Sequence, residues 1–416
     1  METLENFKKV LALNGKINST LDLDELLGII MATAGEVMRA EAASLMLLDE
    51  ESKELVFRVA LGEKGSELKE KFRVKLGEGI AGWVAQSGEP LMVNDPRTDK
   101  RFAGRFDDAT GFQSKAIICV PMRARSKIVG ILEALNPIGR NVFSDEDLVL
   151  FQTFADQAAI SVENARLHQA LVQQELAARE LKIAREIQQS FLPDLKTLTL
   201  PIDLACRNIP AREVSGDFYD IIRLDENRTG VMIGDVSGKG VPASLYMVRA
   251  ISDSRFLAPR FPDPAGLLRE LNKRLARDSR FGIFTTLLYL VVDAREKSIA
   301  FASAGHHPML RRRNGAVAAE SVEGTGGMPL GLFEEAEYVS NTFKAESGDT
   351  FFLYTDGITE ARNTAGQEFE LGRVKQAVAE SAPSSREYAD RIFDALKEFT
   401  RGAEQHDDIT LVTVKI

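Results

Sequence analysis

The sequence predicts an α+β protein in which two domains are joined by one long helix. Three observations carry that expectation. The 416 residues exceed what a single hydrophobic core ordinarily organises. Residues 141–192 contain neither glycine nor proline, the longest such stretch in the chain. On both flanks of it, short apolar runs bounded by turn residues alternate with runs of helical periodicity.

The composition is that of a soluble globular protein, 44% hydrophobic and 27% charged. The balance of 52 basic against 62 acidic residues leaves a net charge of −10. That argues against nucleic acid, or an anionic membrane, as a partner held by charge alone. The opening METLENFKKVLALNGKINST is polar and lacks the apolar segment of a secretion signal. No uncharged apolar run approaches the ~18 residues of a membrane helix. Cys119 and Cys206 lie far apart in apolar, strand-like runs, so both are expected as buried, reduced thiols in a cytoplasmic protein.

Residues 15–40 read as a helix, with Ile17, Leu21, Leu23, Leu26, Leu27, Ile30 and Met31 on its apolar face and Asp22 as a cap. Strands are expected at 43–49 and 54–62, a helix at 79–88, and strands at 90–95, 115–124 and 126–136. This order implies an antiparallel sheet carrying helices on one side. The segments GEGIAGWVAQSGEPLMVNDPRTDKRF, ICVPM, IVGILEALN and FSDEDLVLFQTFADQAAISVENARL follow one another as in GAF domains, and residues 1–160 resemble one. The resemblance implies a sensor or dimerising module with a small-molecule ligand of unassigned identity. The Asn-Lys…Phe…Asp-Glu pattern of cyclic-GMP-binding members is echoed only loosely by Asn94, Lys100, Phe102 and Asp107-Asp108. No cysteine lies in 90–112 to tether a bilin.

If helical throughout, residues 141–192 would extend about 75 Å. Leu167, Leu171, Gln174, Ala178 and Leu181 follow the 4-3-4-3 spacing of a coiled-coil seam. Ile183, Ile187 and Phe191 continue it on a shifted stripe, and Pro193 ends it. Residues 161–193 are therefore expected as a helical coiled-coil linker that pairs two chains in a homodimer. The alternative is one amphipathic helix packed on its own domain.

In the C-terminal half, GDVSGKG (234–240) admits two readings. A phosphate-binding P-loop needs four residues between its first glycine and the Gly-Lys pair. Here only Asp235, Val236 and Ser237 intervene, and Asp235 would meet the phosphate oxygens. A metal-binding turn fits better. VSGDFYDIIRL and RTGVMIGDVSG flank the turn-rich LDENR, and a hairpin centred near Glu226 sets Asp217 opposite Asp235. Two carboxylates facing one another across a sheet repel, so something positive is expected between them. DTFFLYTDGITEA sets Asp356 after an apolar strand with Gly357 allowing a sharp turn, and HDDITLVTV sets Asp407 and Asp408 before the last strand. Hard oxygen ligands of this kind suit Mg²⁺ or Mn²⁺. Two such ions can neutralise a phosphate and aim a water at phosphorus. No cysteine nucleophile or Gly-x-Ser-x-Gly arrangement competes. Lys239 and Arg212 are candidate phosphate contacts, although basic residues near loops are ordinarily solvated.

REVSGDFYD, GDVSGKGVPASLYM, FTTLLYLVVD, ASAGHHPML, GGMPLGLF, LYTDGITEARN and HDDITLV occur in the order found in protein phosphatase 2C-like (PPM-type) enzymes. Residues 194–416 resemble that family, and most of all its bacterial branch in stress-response and sporulation signalling. The resemblance implies an α-β-β-α sandwich with two Mn²⁺ or Mg²⁺ ions. Carried over by position, Asp235 bridges both ions, the Val236 carbonyl joins the second, Asp356 and Asp407 complete the first, and Asp217 orients a water. Ser237 stands where many relatives place a histidine, and their phosphate-gripping arginine has no clear counterpart. Asp408 stands where many relatives have asparagine. His306 and His307 belong to a motif the family uses structurally. ARELKIAREIQQSFLPDL resembles the helical lead-in of the branch. The expected function is a metal-dependent serine/threonine protein phosphatase under control of the sensor, acting on a phosphorylated anti-sigma-factor antagonist or similar signalling protein. The alternatives are a phosphoprotein-binding scaffold and a phosphatase of a small phosphoester.

Overall fold

The computed structural model describes residues 20–61, 73–277 and 282–416. The chain divides into two compact units between Ala177 and Ala178.

The first unit opens with α1 (Leu23–Met38), where Asp22 caps the helix by accepting the Glu25 N–H at 2.9 Å. The part of the predicted helix before Thr20, with Ile17, lies outside the described residues. β1 (Ala40–Asp49), β2 (Glu54–Leu61) and β3 (Arg73–Lys75) follow, then α2 (Gly79–Ser87), β4 (Leu91–Val93), α3 (Arg105–Thr110), β5 (Ile117–Ala124) and β6 (Lys127–Pro137). The six strands form one antiparallel sheet in the order β3-β2-β1-β6-β5-β4. Alternation along β1 divides its side chains. Leu45 and Leu47, with Ile118, Val120 and Leu132, pack against α1 and α4 (Asp145–Phe191). Met46, with Cys119 and Ile131, packs against Ile80 and Val84 of α2. Helices therefore cover both faces, where the sequence suggested one: the apolar residues of α2 are too few to look like a second layer.

α4 is a single helix of 47 residues, roughly 70 Å long. Its first half sends Phe151, Phe154, Ala155, Ala158, Ala159, Val162 and Ala165 into the core of the first unit. Beyond that, Leu167, Leu171, Leu176, Ile183 and Ile187 are exposed.

The second unit is built on two sheets. One has the order β14-β11-β10-β9-β8, comprising β8 (Phe218–Arg223), β9 (Arg228–Val236), β10 (Thr285–Asp293), β11 (Ser298–Ala304) and β14 (Gly326–Gly327), with β15 (Asn341–Lys344) also paired to β11. The other has the order β13-β12-β16-β17-β7, comprising β7 (Asp203–Ile209), β12 (Met309–Arg312), β13 (Glu320–Val322), β16 (Thr350–Tyr354) and β17 (Ile409–Lys415). Among the described strands of this unit, β11 and β14 pair in parallel and the other pairs are antiparallel. Between the sheets, Tyr219, Ile221, Val231, Ile233 and Leu290 meet Phe351, Leu353, Val412 and Val414. The outer face of the first sheet is covered by α5 (Val241–Leu257) and α6 (Pro264–Arg277), packed on Phe218, Met232 and Tyr289. The outer face of the second is covered by α7 (Asp356–Thr359), α8 (Glu370–Ala377) and α9 (Ser385–Phe399), packed on Phe352, Tyr354 and Leu411. This is the α-β-β-α sandwich expected from the sequence.

Cys119 and Cys206 are both free thiols; Cys119 is buried as expected, whereas Cys206, on β7, is only half-buried. Among the described residues no helix is long and apolar enough to cross a membrane.

Candidate metal centre

β8 and β9 pair in a register that joins Phe218 to Gly234 and Arg223 to Thr229, which centres the hairpin on Glu226 as predicted. One residue further, Asp217 comes alongside Asp235, and their carboxyls are in hydrogen-bonding contact. After Val236 the chain turns through Gly238 and Gly240 at φ of +90° and +80°, a region open to glycine at little cost, and enters α5. Ser237 is held by this turn: its N–H donates to Phe284 O at 2.8 Å, and its Oγ accepts the Phe284 N–H at 2.9 Å. Ser237 thus pins the turn to the residue that precedes β10.

The second sheet brings its acids to the same end of the sandwich. Asp356 follows β16 as the first residue of α7, and Asp407 and Asp408 precede β17. Buried Thr355 links the sheets: its Oγ1 donates to Asp217 at 2.6 Å and accepts the Thr410 N–H at 3.0 Å. Gly357 is a close approach, because a Cβ there would lie 1.8 Å from the Asp408 carbonyl oxygen. Both Asp408 carboxylate oxygens are taken by one loop: Oδ1 accepts Ala211 N–H at 2.8 Å, and Oδ2 accepts Ser215 Oγ at 2.7 Å and Gly216 N–H at 2.9 Å. Asp408 is therefore a strap on the segment that carries Asp217. Asp407 accepts the Asp408 N–H at 2.9 Å and pairs with Lys239 at 2.9 Å, while Lys239 Nζ also donates to the His406 carbonyl at 2.9 Å.

The electrostatics follow from this crowding. Burial, with the Asp235 charge second, holds the Asp217 carboxyl well above its ordinary range despite the Thr355 hydrogen bond. Asp235 is pushed up to about 6 by burial and then by Asp356, with Asp407 and Asp408 adding to it. Among the described residues, no three His, Cys, Asp or Glu side chains already converge as a metal cage. The donor set nonetheless fits a hard divalent cation: mutually repelling carboxylates with no thiolate among them. His306 is buried and neutral, its value lowered to about 3 chiefly by burial. Its Nε2 donates to Tyr354 O at 3.2 Å, which leaves Nδ1 to accept from Thr286 Oγ1 at 2.9 Å.

The structure thus brings Asp217 and Asp235 together and sets Asp356 and Asp407 within electrostatic reach of Asp235. The Val236 carbonyl stands against Gly216. Arg212 is exposed. Sequence reasoning missed Thr355 and Ser215, whose only signal was adjacency to the TDG and GDF motifs.

Comparison with known proteins finds relatives of both folds. Residues 225–416 match the Stage II sporulation protein E (SpoIIE) family, and residues 22–162 match the GAF domain. Phosphoserine phosphatase RsbU of Bacillus subtilis is 28% identical over 254 residues, 60% of this chain and 73% of that protein. Phosphoserine phosphatase RsbP of the same organism is 26% identical over 186 residues, 44% of this chain and 45% of that protein. The SiaA-PP2C domain of Pseudomonas aeruginosa shares the fold, with a TM-score of 0.53 at 24% identity over 59% of this chain and 98% of that one.

Proposed function

We infer that this chain, a GAF domain joined to a phosphatase domain of the SpoIIE family, is a metal-dependent serine/threonine protein phosphatase controlled by its GAF domain. The observation that carries the reading is the convergence of acids from two sheets on Asp235, whose carboxyl is lifted to about 6 by burial and, after it, by the neighbouring acids. In this reading Asp235, Asp356 and Asp407, with the Val236 carbonyl, hold two Mn²⁺ or Mg²⁺ ions. Bound there, the ions offset the charge of a phosphoryl group and lower the pKa of the attacking water. Asp217 orients that water, and Thr355 fixes the rotamer of Asp217 through its 2.6 Å hydrogen bond.

The substrate is a phosphorylated anti-sigma-factor antagonist or a similar signalling protein; the phosphoserine phosphatases RsbU and RsbP among its relatives support a phosphoserine target. The functional divisions are a GAF-like sensor at 1–160, a helical linker at 161–193 and the phosphatase at 194–416. The linker stripe from Leu167 to Ile187, exposed in one chain, pairs with that of a second copy to make a homodimer in the cytoplasm. A small molecule bound by the GAF domain sets the activity.

The test is phosphate release from a phosphoserine peptide and from a sugar phosphate, each with Mn²⁺. Turnover of the peptide with little of the sugar phosphate is expected. Turnover of the sugar phosphate alone would make the chain a small-phosphoester phosphatase. Binding of the phosphopeptide without release would make it a scaffold.

A further inference from the structure

The second unit carries a cleft of about 830 Å³, bounded by α9, the end of α7 and the loop that leads into β17. Its volume is that of a ligand site, ~300–1,000 Å³. Lys239, Gly357 and Asp407 are among its walls, so the cleft adjoins the acids: Asp407 is one of them, and Gly357 follows Asp356. The wall at this side is braced. Gln405 Nε2 donates to Ile209 O at 2.9 Å and to Asp407 O at 2.8 Å, which holds the loop against β7. Ile209 itself lines the cleft and is 38% exposed, so it offers an apolar surface there.

The charges on the walls are of two kinds, spent and free. Lys239 and Asp407 pair with each other at 2.9 Å. Arg207 pairs with Asp390 at 3.6 Å and lies over the Phe393 ring at 4.6 Å, and Arg362 pairs with Glu368 at 2.8 Å. There remain the exposed carboxylates of Glu360 at the end of α7, Asp394 on α9 and Glu404 in the loop, against the exposed ammonium of Lys397. None of these has an ion-pair partner among the described residues. Free charge in the cleft is therefore mostly negative, and it complements a cation.

We propose that this cleft receives the residues flanking the phosphoserine of the protein substrate, and that it favours a segment carrying lysine or arginine beside an apolar residue. The inference rests on the phosphatase reading above. An extended chain advances ~3.3–3.6 Å per residue, so the neighbours of a phosphoserine seated at the acids lie on the surface that adjoins them. A basic side chain there meets the free carboxylates, and an apolar one covers Ile209. Such contacts form in the bound complex and persist through the reaction, so they lower KM and leave kcat as it is.

The test uses the full-length chain with Mn²⁺, as wild type, as Asp394→Lys with Glu404→Lys, and as Lys397→Glu. These side chains are exposed, and circular dichroism checks that the fold is kept. Values of kcat and KM are measured for two phosphoserine peptides of equal length, one with lysine and one with glutamate on either side of the phosphoserine. p-Nitrophenyl phosphate, too small to fill the cleft, is the reference. Exposed ion pairs are each weak, so wild type is expected to show a KM about 3- to 10-fold lower for the lysine peptide, with similar kcat. The double variant should lose or reverse that preference and Lys397→Glu should widen it, with no such change for p-nitrophenyl phosphate. Equal KM for the two peptides in wild type, or an undiminished preference in the double variant, would overturn the proposal. So would a loss of the same size with p-nitrophenyl phosphate, which would place the effect on the acids and not on the substrate. If the double variant does not fold, an unchanged preference in Lys397→Glu would overturn it. Failure of wild type to release phosphate from any of the substrates would instead overturn the phosphatase reading and this proposal with it.

Discussion

At the residue scale, the acid site is a problem of placing like charges together. Asp217 and Asp235 were legible because a turn-rich spacer between two apolar runs fixes the centre of a hairpin, and the centre fixes which residues face one another. Asp408 was legible as an acid but not as a strap. Its donors at Ala211, Ser215 and Gly216 lie more than 190 positions away, and no local pattern announces a bond across that distance. Asp408→Ala removes an acceptor from three donors at once. It is expected to destabilise the second unit by about 2–4 kcal/mol, as hydrogen bonds to a charged group are worth ~1.5–3 kcal/mol and donors left unmet cost more. It should also lower turnover, because the loop bearing Asp217 loses its hold. Urea denaturation beside a phosphatase assay measures both; a variant as stable and active as wild type would remove the strap.

At the element scale, short apolar runs bounded by turn residues predicted the strands well, and that signal failed where a layer was thin. The second face of the GAF sheet was missed because α2 spans only Gly79–Ser87. That face carries Glu133 on β6, beside Ser44 on β1 and Cys119 on β5. Burial, with a further push from Asp107, raises the Glu133 carboxyl to about 7, although Ser44 Oγ donates to it at 3.2 Å. The folded chain therefore keeps a proton that the unfolded chain releases near the ordinary value of 4.5. Stability from this group is complete below that value and is lost as pH rises towards 7. Glu133→Gln should abolish the loss, leaving the GAF unit more stable than wild type by about 1–3 kcal/mol at pH 8 and little changed at pH 4.5. Thermal melting across that range is the check, and parallel curves for the two proteins would contradict it. The linker helix, by contrast, was legible over nearly its whole length from the lack of glycine and proline.

At the scale of the whole molecule, the chain joins a GAF fold to a phosphatase fold through a helix of 47 residues whose second half carries exposed apolar side chains. Leu167 and Leu171 are 53% and 58% exposed, on the stripe that the heptad spacing assigns to a partner helix. Sedimentation of wild type should report a dimer, and Leu167→Lys with Leu171→Lys should shift it to monomer; a wild-type monomer would contradict the pairing. The sandwich was legible because seven motifs in order leave little freedom to the topology, whereas metal occupancy and the controlling ligand leave no comparable mark. The central claim is that acids from two sheets form a metal site that hydrolyses phosphoserine, and it is tested most directly by phosphate release from a phosphoserine peptide. Full-length protein is assayed with Mn²⁺ and then with excess chelator, beside Asp235→Asn. The account predicts turnover with Mn²⁺, none with chelator, and at least the ~100-fold loss in folded Asp235→Asn that even an outer-shell change can cause. Turnover indifferent to chelator, or a folded Asp235→Asn as fast as wild type, would contradict it.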